Sequence, residues 1–166
     1  FTGIAPSRSG NISNDSGKRP WRFYAGSETI TIPKLFSQNG WESIGIAKNF
    51  HRGDGPEFDT YIPPFKTPKK LKKVGLNLNS SAIWDIADMP VSEMGDYKAA
   101  SAAIKTIRSQ KDPLLLSVGI YRPHVPWIVP QAYFDMYPSE TLQLSERREE
   151  DLDDLPERLK LVAGLE

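Results

Sequence analysis

Apolar residues recur along this chain in two rhythms. Tyr97, Ala100, Ala103, Ile104 and Ile107 share one helical face. Ser92-Glu93-Met94 opens that segment and Lys111-Asp112-Pro113 stops it, so the spacing predicts a helix over residues 92–109. A shorter helix is predicted over residues 31–40. Thr31 can cap it, Pro33 suits its first turn, Ile32, Leu35 and Phe36 form an apolar stripe, and Asn39-Gly40 ends it. Residues 114–120 are a near-continuous apolar run of strand length, the pattern of a strand covered on both faces. Residues 41–47 predict a second buried strand, with β-branched Ile44 and Ile46 around Gly45. Pro130 suits the start of a short helix over residues 130–137, and residues 156–163 predict a last one. Residues 1–25 and 51–81 lack periodicity and read as loops. The order of helix, strand, long excursion, helix, strand, helix predicts an α/β protein with a mostly parallel sheet. Two strands make an incomplete sheet, so its partners are expected outside the chain.

Composition narrows the function classes. Apolar residues at 39% and charged residues at 25% describe an ordinary globular chain of 166 residues. Its 21 basic and 21 acidic residues cancel, so net charge favours neither nucleic acid nor an anionic membrane. No apolar run approaches a membrane span. The absence of cysteine excludes disulfides and thiolate metal sites within these residues. The chain opens at Phe1, in what reads as the middle of a loop, and stops just after a helix-like segment, so a piece of a larger protein is expected.

The two histidines carry the candidate chemistry. His51 follows the first strand in Ala47-Lys48-Asn49-Phe50-His51, and His124 follows the second in Tyr121-Arg122-Pro123-His124-Val125-Pro126-Trp127. Open α/β sheets bind ligands beyond the carboxyl ends of their strands. Pro123 and Pro126 stiffen the backbone around His124, as a placed side chain requires. Lys48 and Arg122 add positive charge beside imidazoles that exchange protons near neutral pH, which suits a tetrahedral oxyanion. Blander readings stand beside this one. A lone histidine after a strand is more commonly a loop residue making an ordinary hydrogen bond. Lys48 can be a solvated strand-end charge, and Arg122 a structural ion-pair partner. The run Lys66, Lys69, Lys70, Lys72, Lys73 lacks the interleaved aromatics of a nucleic-acid platform and reads as solvated loop. The acidic residues 149–154 lack EF-hand spacing and read as a surface leading into a helix. Trp127, Tyr133, Phe134 and Tyr137 read as core, with Trp127 close enough to His124 to wall a pocket.

At these same residues the chain resembles the sulfatase family of the alkaline-phosphatase-like superfamily, most of all the iduronate-2-sulfatase-type bacterial members. Phe1-Thr2-Gly3-Ile4-Ala5-Pro6 is similar to the stretch after the family's Cys-x-Pro-x-Arg nucleophile motif. Gly40-Trp41 and the Lys48-x-x-His51 segment resemble the glycine–aromatic pair and the Gly-Lys-x-x-His motif. Met94-Gly95-Asp96-Tyr97, residues 121–127, residues 133–138 and residues 150–156 follow in matching order. The likeness covers nearly the whole chain and is weakest over residues 53–81. It implies part of a three-layer alkaline-phosphatase-like fold, spanning residues 1–166 as a partial catalytic domain without the nucleophile motif or the metal-site half. It also implies a sulfuric ester hydrolase, usually exported to the periplasm or secreted, acting on a sulfated saccharide. Formylglycine and a calcium ion would come from outside these residues. By the resemblance Lys48 would contact the sulfate and the formylglycine diol, and His51 would bond that diol and help release sulfate. His124 would assist the leaving group, with Trp127 beside the substrate.

Ala47 stands where the family has glycine, a departure that matters if the position needs a positive φ. Two rival readings remain: a phosphate or phosphonate ester hydrolase of the same superfamily, and a non-catalytic sulfatase-like binding protein. The 166 residues alone are expected neither to hydrolyse sulfate esters nor to bind calcium specifically. Measurable sulfate release by the isolated chain contradicts that expectation.

Overall fold

Thr31 starts the first well-defined helix. Its side chain accepts from the Lys34 N–H at 3.4 Å, and α2 (Ile32–Gln38) follows with Pro33 in its first turn. Gly40, at φ 80°, turns the chain left-handed after it. The Gly40 and Trp41 N–H groups then donate to the Ser37 and Phe36 carbonyls at 3.2 and 3.1 Å. With Phe36 and Trp41 in edge contact at 5.2 Å, this is a complete Schellman termination. The structure, a computed structural model, describes residues 1–10, 28–50, 57–67, 72, 84–146, 153–156 and 159. Most of the helix expected over residues 156–163 and most of the acidic run lie outside them, as does His51. One short helix, α1 (Pro6–Ser9), interrupts the expected opening loop.

From Trp41 the chain enters β1 (Glu42–Ala47), buried from Ser43 onward. It lies between two parallel neighbours, β2 (Thr60–Ile62) and β4 (Leu114–Gly119). The β1–β4 register runs from Glu42 opposite Leu114 to Ala47 opposite Gly119. A second parallel pair joins β3 (Trp84–Ala87) to β5 (Trp127–Pro130), with Trp84 opposite Trp127. Among the described residues every strand pairing is parallel, so the α/β class with a parallel sheet holds, as a portion of the expected fold. The sequence pattern missed β2, β3 and β5, each only three or four residues long. It also placed a helix from residue 130, whereas Pro130 closes β5 and the helix α4 (Gln131–Phe134) is a single turn.

Between β3 and β4, a 3₁₀ turn (Val91–Glu93) leads through Met94 into α3 (Gly95–Ser109). The helix is where periodicity put it, but its buried face is different. Gly95, Ala99 and Ala103 are buried, and Tyr97, Ile104 and Ile107 are exposed. Small residues let the helix lie close on the sheet. Ala99 and Ala103 join Ile44, Ile46 and Ala47 in one core, flanked by Ile62, Phe65, Leu114 and Leu116. Gly95 approaches so closely that a Cβ there would strike the Phe65 carbonyl oxygen. The α2 stripe is likewise not the packed one, since Ile32 and Leu35 are exposed and Pro33 is buried. Strand β4 is only partly covered, so the expectation of burial on both faces is not met within this chain.

The chain divides into two compact units, Phe1–Gln131 and Ala132–Glu166. In the second, the Tyr137 N–H closes on the Phe134 carbonyl at 2.9 Å, and a 3₁₀ turn spans Ser139–Thr141. Tyr133 and Tyr137 are exposed there rather than core.

Asp59 ties helix to sheet. Its carboxylate accepts from the Ser37 hydroxyl at 2.7 Å, the Ser43 N–H at 2.9 Å and the Ser43 hydroxyl at 2.8 Å. The Ser37 hydroxyl foremost, then the Ser43 N–H, hold its pKa below the usual 3.8, against a partial desolvation. A carboxyl whose pKa falls on folding stabilises the fold while ionised, and that contribution disappears as pH drops through the folded value. Asp59→Asn is therefore expected to lower the melting temperature modestly at pH 7, because the residue is exposed and screened by solvent. The gap from wild type should close as pH is taken below the carboxylate range; a gap constant down to strongly acidic pH contradicts this role.

Candidate functional site

The parallel register brings the chain out of β1 and β4 at one rim of the sheet. Just beyond the last pair, the Lys48 N–H donates to the Gly119 carbonyl at 3.3 Å. Gly119 has to be glycine here, because a Cβ would run into the Lys48 carbonyl and Cα. Ala47 takes φ 60°, so the position does need the left-handed conformation that glycine adopts freely. An L-residue there is strained by about 1–2 kcal/mol. Two donors hold its carbonyl in place, the Tyr61 hydroxyl at 2.7 Å and the Asn49 N–H at 2.9 Å. The second closes a tight three-residue turn centred on Lys48.

Asn49 locks that turn to the neighbouring strand. Its amide nitrogen donates to the Ile46 carbonyl at 2.9 Å and the Ser117 carbonyl at 3.4 Å. Its amide oxygen accepts from the Ser117 hydroxyl. Next along the chain, the Phe50 ring packs with Phe1 at 5.1 Å and Phe58 at 6.1 Å. Phe58 can lie on β1 because Gly45 has no Cβ, which would sit 2.6 Å from the ring. These contacts anchor the residue before His51.

On the β4 side, Asp96 in the first turn of α3 accepts from the Tyr121 N–H at 2.8 Å and the Arg122 N–H at 3.0 Å, one on each carboxylate oxygen. The segment it anchors is bonded internally. The His124 N–H reaches the Tyr121 carbonyl at 3.0 Å, and the Trp127 indole reaches the Pro123 carbonyl at 2.8 Å. The Arg122 Nε donates to the Ile128 carbonyl at 3.2 Å. Pro123 and Pro126 both follow cis peptide bonds.

The Tyr121 ring joins the two sides. The Lys48 Nζ lies 4.6 Å from its centroid, the Arg122 Cζ 5.2 Å, and the His124 ring centroid 4.9 Å. Ammonium and imidazole from segments 76 residues apart thus border one aromatic ring. His124 places Nδ1 2.6 Å from the Val125 carbonyl oxygen, which can only accept. An accepting carbonyl favours the tautomer with its proton on Nδ1, which leaves Nε2 free of that bond. Lys48, Lys66, Asp96, Tyr121 and Arg122 line a cleft of about 280 Å³, ample for a sulfate. His124 and Trp127 lie outside its lining.

No family model matches the chain. A protein of Formosa agariphila named sulfatase is 30% identical over 176 residues, covering 94% of this chain. The iduronate 2-sulfatases of Mus musculus and Homo sapiens are 28% and 29% identical over 170 residues, covering 85%. The chain belongs to the sulfatase family. It spans about a third of the length of these relatives, 34% of the first and 30% of the others.

Of the residues marked from the sequence of this sulfatase chain, Lys48 and His124 are brought to one ring, and His51 lies outside the described residues. Trp127 is a surface residue, 53% exposed, and not core. Its indole N–H bonds to the loop carrying His124, which pulls the side chain onto that loop instead of into the sheet. Arg122 donates its Nε to the Ile128 carbonyl and rests beside Tyr121, and among the described residues it makes no ion pair of the kind expected. Asn49, Asp96 and Tyr121 were not singled out for a role. Their partners are distant in sequence, and the traces were their places in matched stretches, Asn49 in 47–51, Asp96 in 94–97 and Tyr121 in 121–127. Among the described residues no three of His, Asp and Glu converge as a metal ion needs.

Gly119→Ala is expected to destabilise the protein by about 1–3 kcal/mol, because the added methyl meets backbone that cannot rotate away. Chemical denaturation measures this. Unchanged stability contradicts the close approach of Gly119 to Lys48.

Proposed function

We propose that the whole protein is a sulfuric ester hydrolase acting on a sulfated saccharide, with Lys48, His51 and His124 in its active site. The observation that carries this reading is the meeting of Lys48 and His124 on Tyr121, at the carboxyl rim of adjacent parallel strands, in a chain of the sulfatase family. The name iduronate 2-sulfatase, borne by two relatives, favours a sugar sulfate. By its resemblance to exported members, the protein works in the periplasm or outside the cell. No helix among the described residues is long and apolar enough to cross a membrane.

Each residue has a defined task. The Lys48 ammonium binds the non-bridging sulfate oxygens and offsets the charge that gathers there as the ester bond breaks. His124 in its imidazolium form gives the Nε2 proton to the bridging ester oxygen, and the departing group leaves as an alcohol. The imidazole that remains keeps its Nδ1 proton on the Val125 carbonyl, so the ring does not turn between steps. By the resemblance, His51, three residues after Lys48 in the sequence, would bond the nucleophile and help release sulfate. Trp127 lies beside the departing sugar. By the resemblance, formylglycine and calcium would supply the attacking oxygen and charge neutralisation; the chain has no cysteine.

With the whole protein and an aryl sulfate, His124→Ala is expected to cut turnover about 10²-fold or more, the usual scale for lost acid–base help. Sulfate release by ion chromatography measures it, and an unchanged rate removes His124 from the site. Faster hydrolysis of the matching aryl phosphate favours the phosphatase relative. Sulfate-ester binding with no turnover of either ester favours a binding protein.

A further inference from the structure

We propose that Tyr121 is the positioning residue of this site: its ring holds the Lys48 ammonium and the His124 imidazole in fixed relation, while Asp96 fixes the backbone beneath it. The inference rests on the sulfate-ester reading and extends it to a residue that the reading does not need.

The argument begins with what each partner lacks alone. Lys48 carries a flexible four-carbon stem, and His124 is an exposed residue of a loop. A carboxylate between them would hold both cations, but it would cancel the charge that an anion has to meet. An aromatic face attracts cations through its quadrupole and leaves their charge intact. At 4.6 Å the Lys48 Nζ is within range of that attraction, and at 4.9 Å the tilted His124 ring is in aromatic contact. The ring can serve as a fixed wall because its backbone is pinned. Asp96 takes the N–H groups of both Tyr121 and Arg122, from a helix whose own start is buried against the 63–67 segment. The Gly95 N–H is in turn held by the Thr67 hydroxyl at 2.9 Å. From the sheet core outward, the order of support is therefore α3, Asp96, Tyr121, then the two reacting groups.

The ring face does this work, so the hydroxyl is dispensable and the aromatic plane is not. Equilibrium dialysis of inorganic sulfate against the whole protein reads the effect on Lys48. Tyr121→Leu is expected to weaken sulfate binding about 3- to 30-fold, the fold-change of a lost cation–π contact. It should also lower kcat for an aryl sulfate more than it raises KM, because His124 loses its orientation. Tyr121→Phe should restore both to within about 2-fold. In a Lys48→Met background, Tyr121→Leu should change sulfate binding no further, since the two residues act as a unit. Thermal melts check folding, and Tyr121→Met replaces Tyr121→Leu if the latter does not fold. Wild-type sulfate affinity in both aliphatic variants, or effects that simply add with Lys48→Met, overturns the role of Tyr121 and leaves the sulfatase reading intact. A wild-type protein that neither binds sulfate nor hydrolyses its esters overturns the reading and this inference together.

Discussion

Parallel pairing of β1 with β4, carried through to Ala47 and Gly119, decides where the segments carrying Lys48 and His124 begin. Because the strands end level, the residues that follow emerge side by side, and the Lys48 N–H can still reach the Gly119 carbonyl. Everything placed at the rim depends on this closeness. It requires an absent side chain at Gly119 and a left-handed Ala47, whose strain persists because hydrogen bonds on its carbonyl over-determine it. A shift of one residue in this register would turn every buried side chain of β1 to the other face and dissolve the core with the site.

The same logic explains the packing of α3. A helix that must present Asp96 to the loop after β4 has to lie close to the sheet, and only small residues permit that. Gly95, Ala99 and Ala103 form the contact face, and the larger Tyr97, Ile104 and Ile107 point away from it. The core is accordingly modest, with Ile46 as its most enclosed large side chain. Much of the order at the rim comes from directed hydrogen bonds, by Asn49 and Asp96, and less from apolar bulk.

How far the sequence could be read follows from these physical differences. The termini of α2 were legible because Thr31, Pro33, Asn39 and Gly40 act locally, through bonds within one turn. Strand β4 was legible from its near-continuous apolar run, and β1 from β-branched Ile44 and Ile46 around Gly45. The face of α3 was misread, since periodicity marks where large apolar residues lie, and here the sheet contact was made by alanines. Strands β2, β3 and β5 were too short to show a pattern. For the site, the strand-end position of Lys48 and His124 was enough to join them, because ligands gather at carboxyl ends of parallel strands. The groups that hold them were hidden. Asn49 reaches Ser117 across 68 residues and Asp96 reaches Tyr121 across 25, and no local pattern encodes such bonds.

The central claim is that one tetrahedral anion is met by Lys48 from one strand end and His124 from the other. A crystal structure of the whole protein grown with inorganic sulfate tests it most directly. Sulfate oxygens within hydrogen-bonding distance, about 3 Å, of both Lys48 Nζ and His124 Nε2 is the result the account requires. Sulfate bound elsewhere, with Lys48 turned away from Tyr121 and His124, would contradict it.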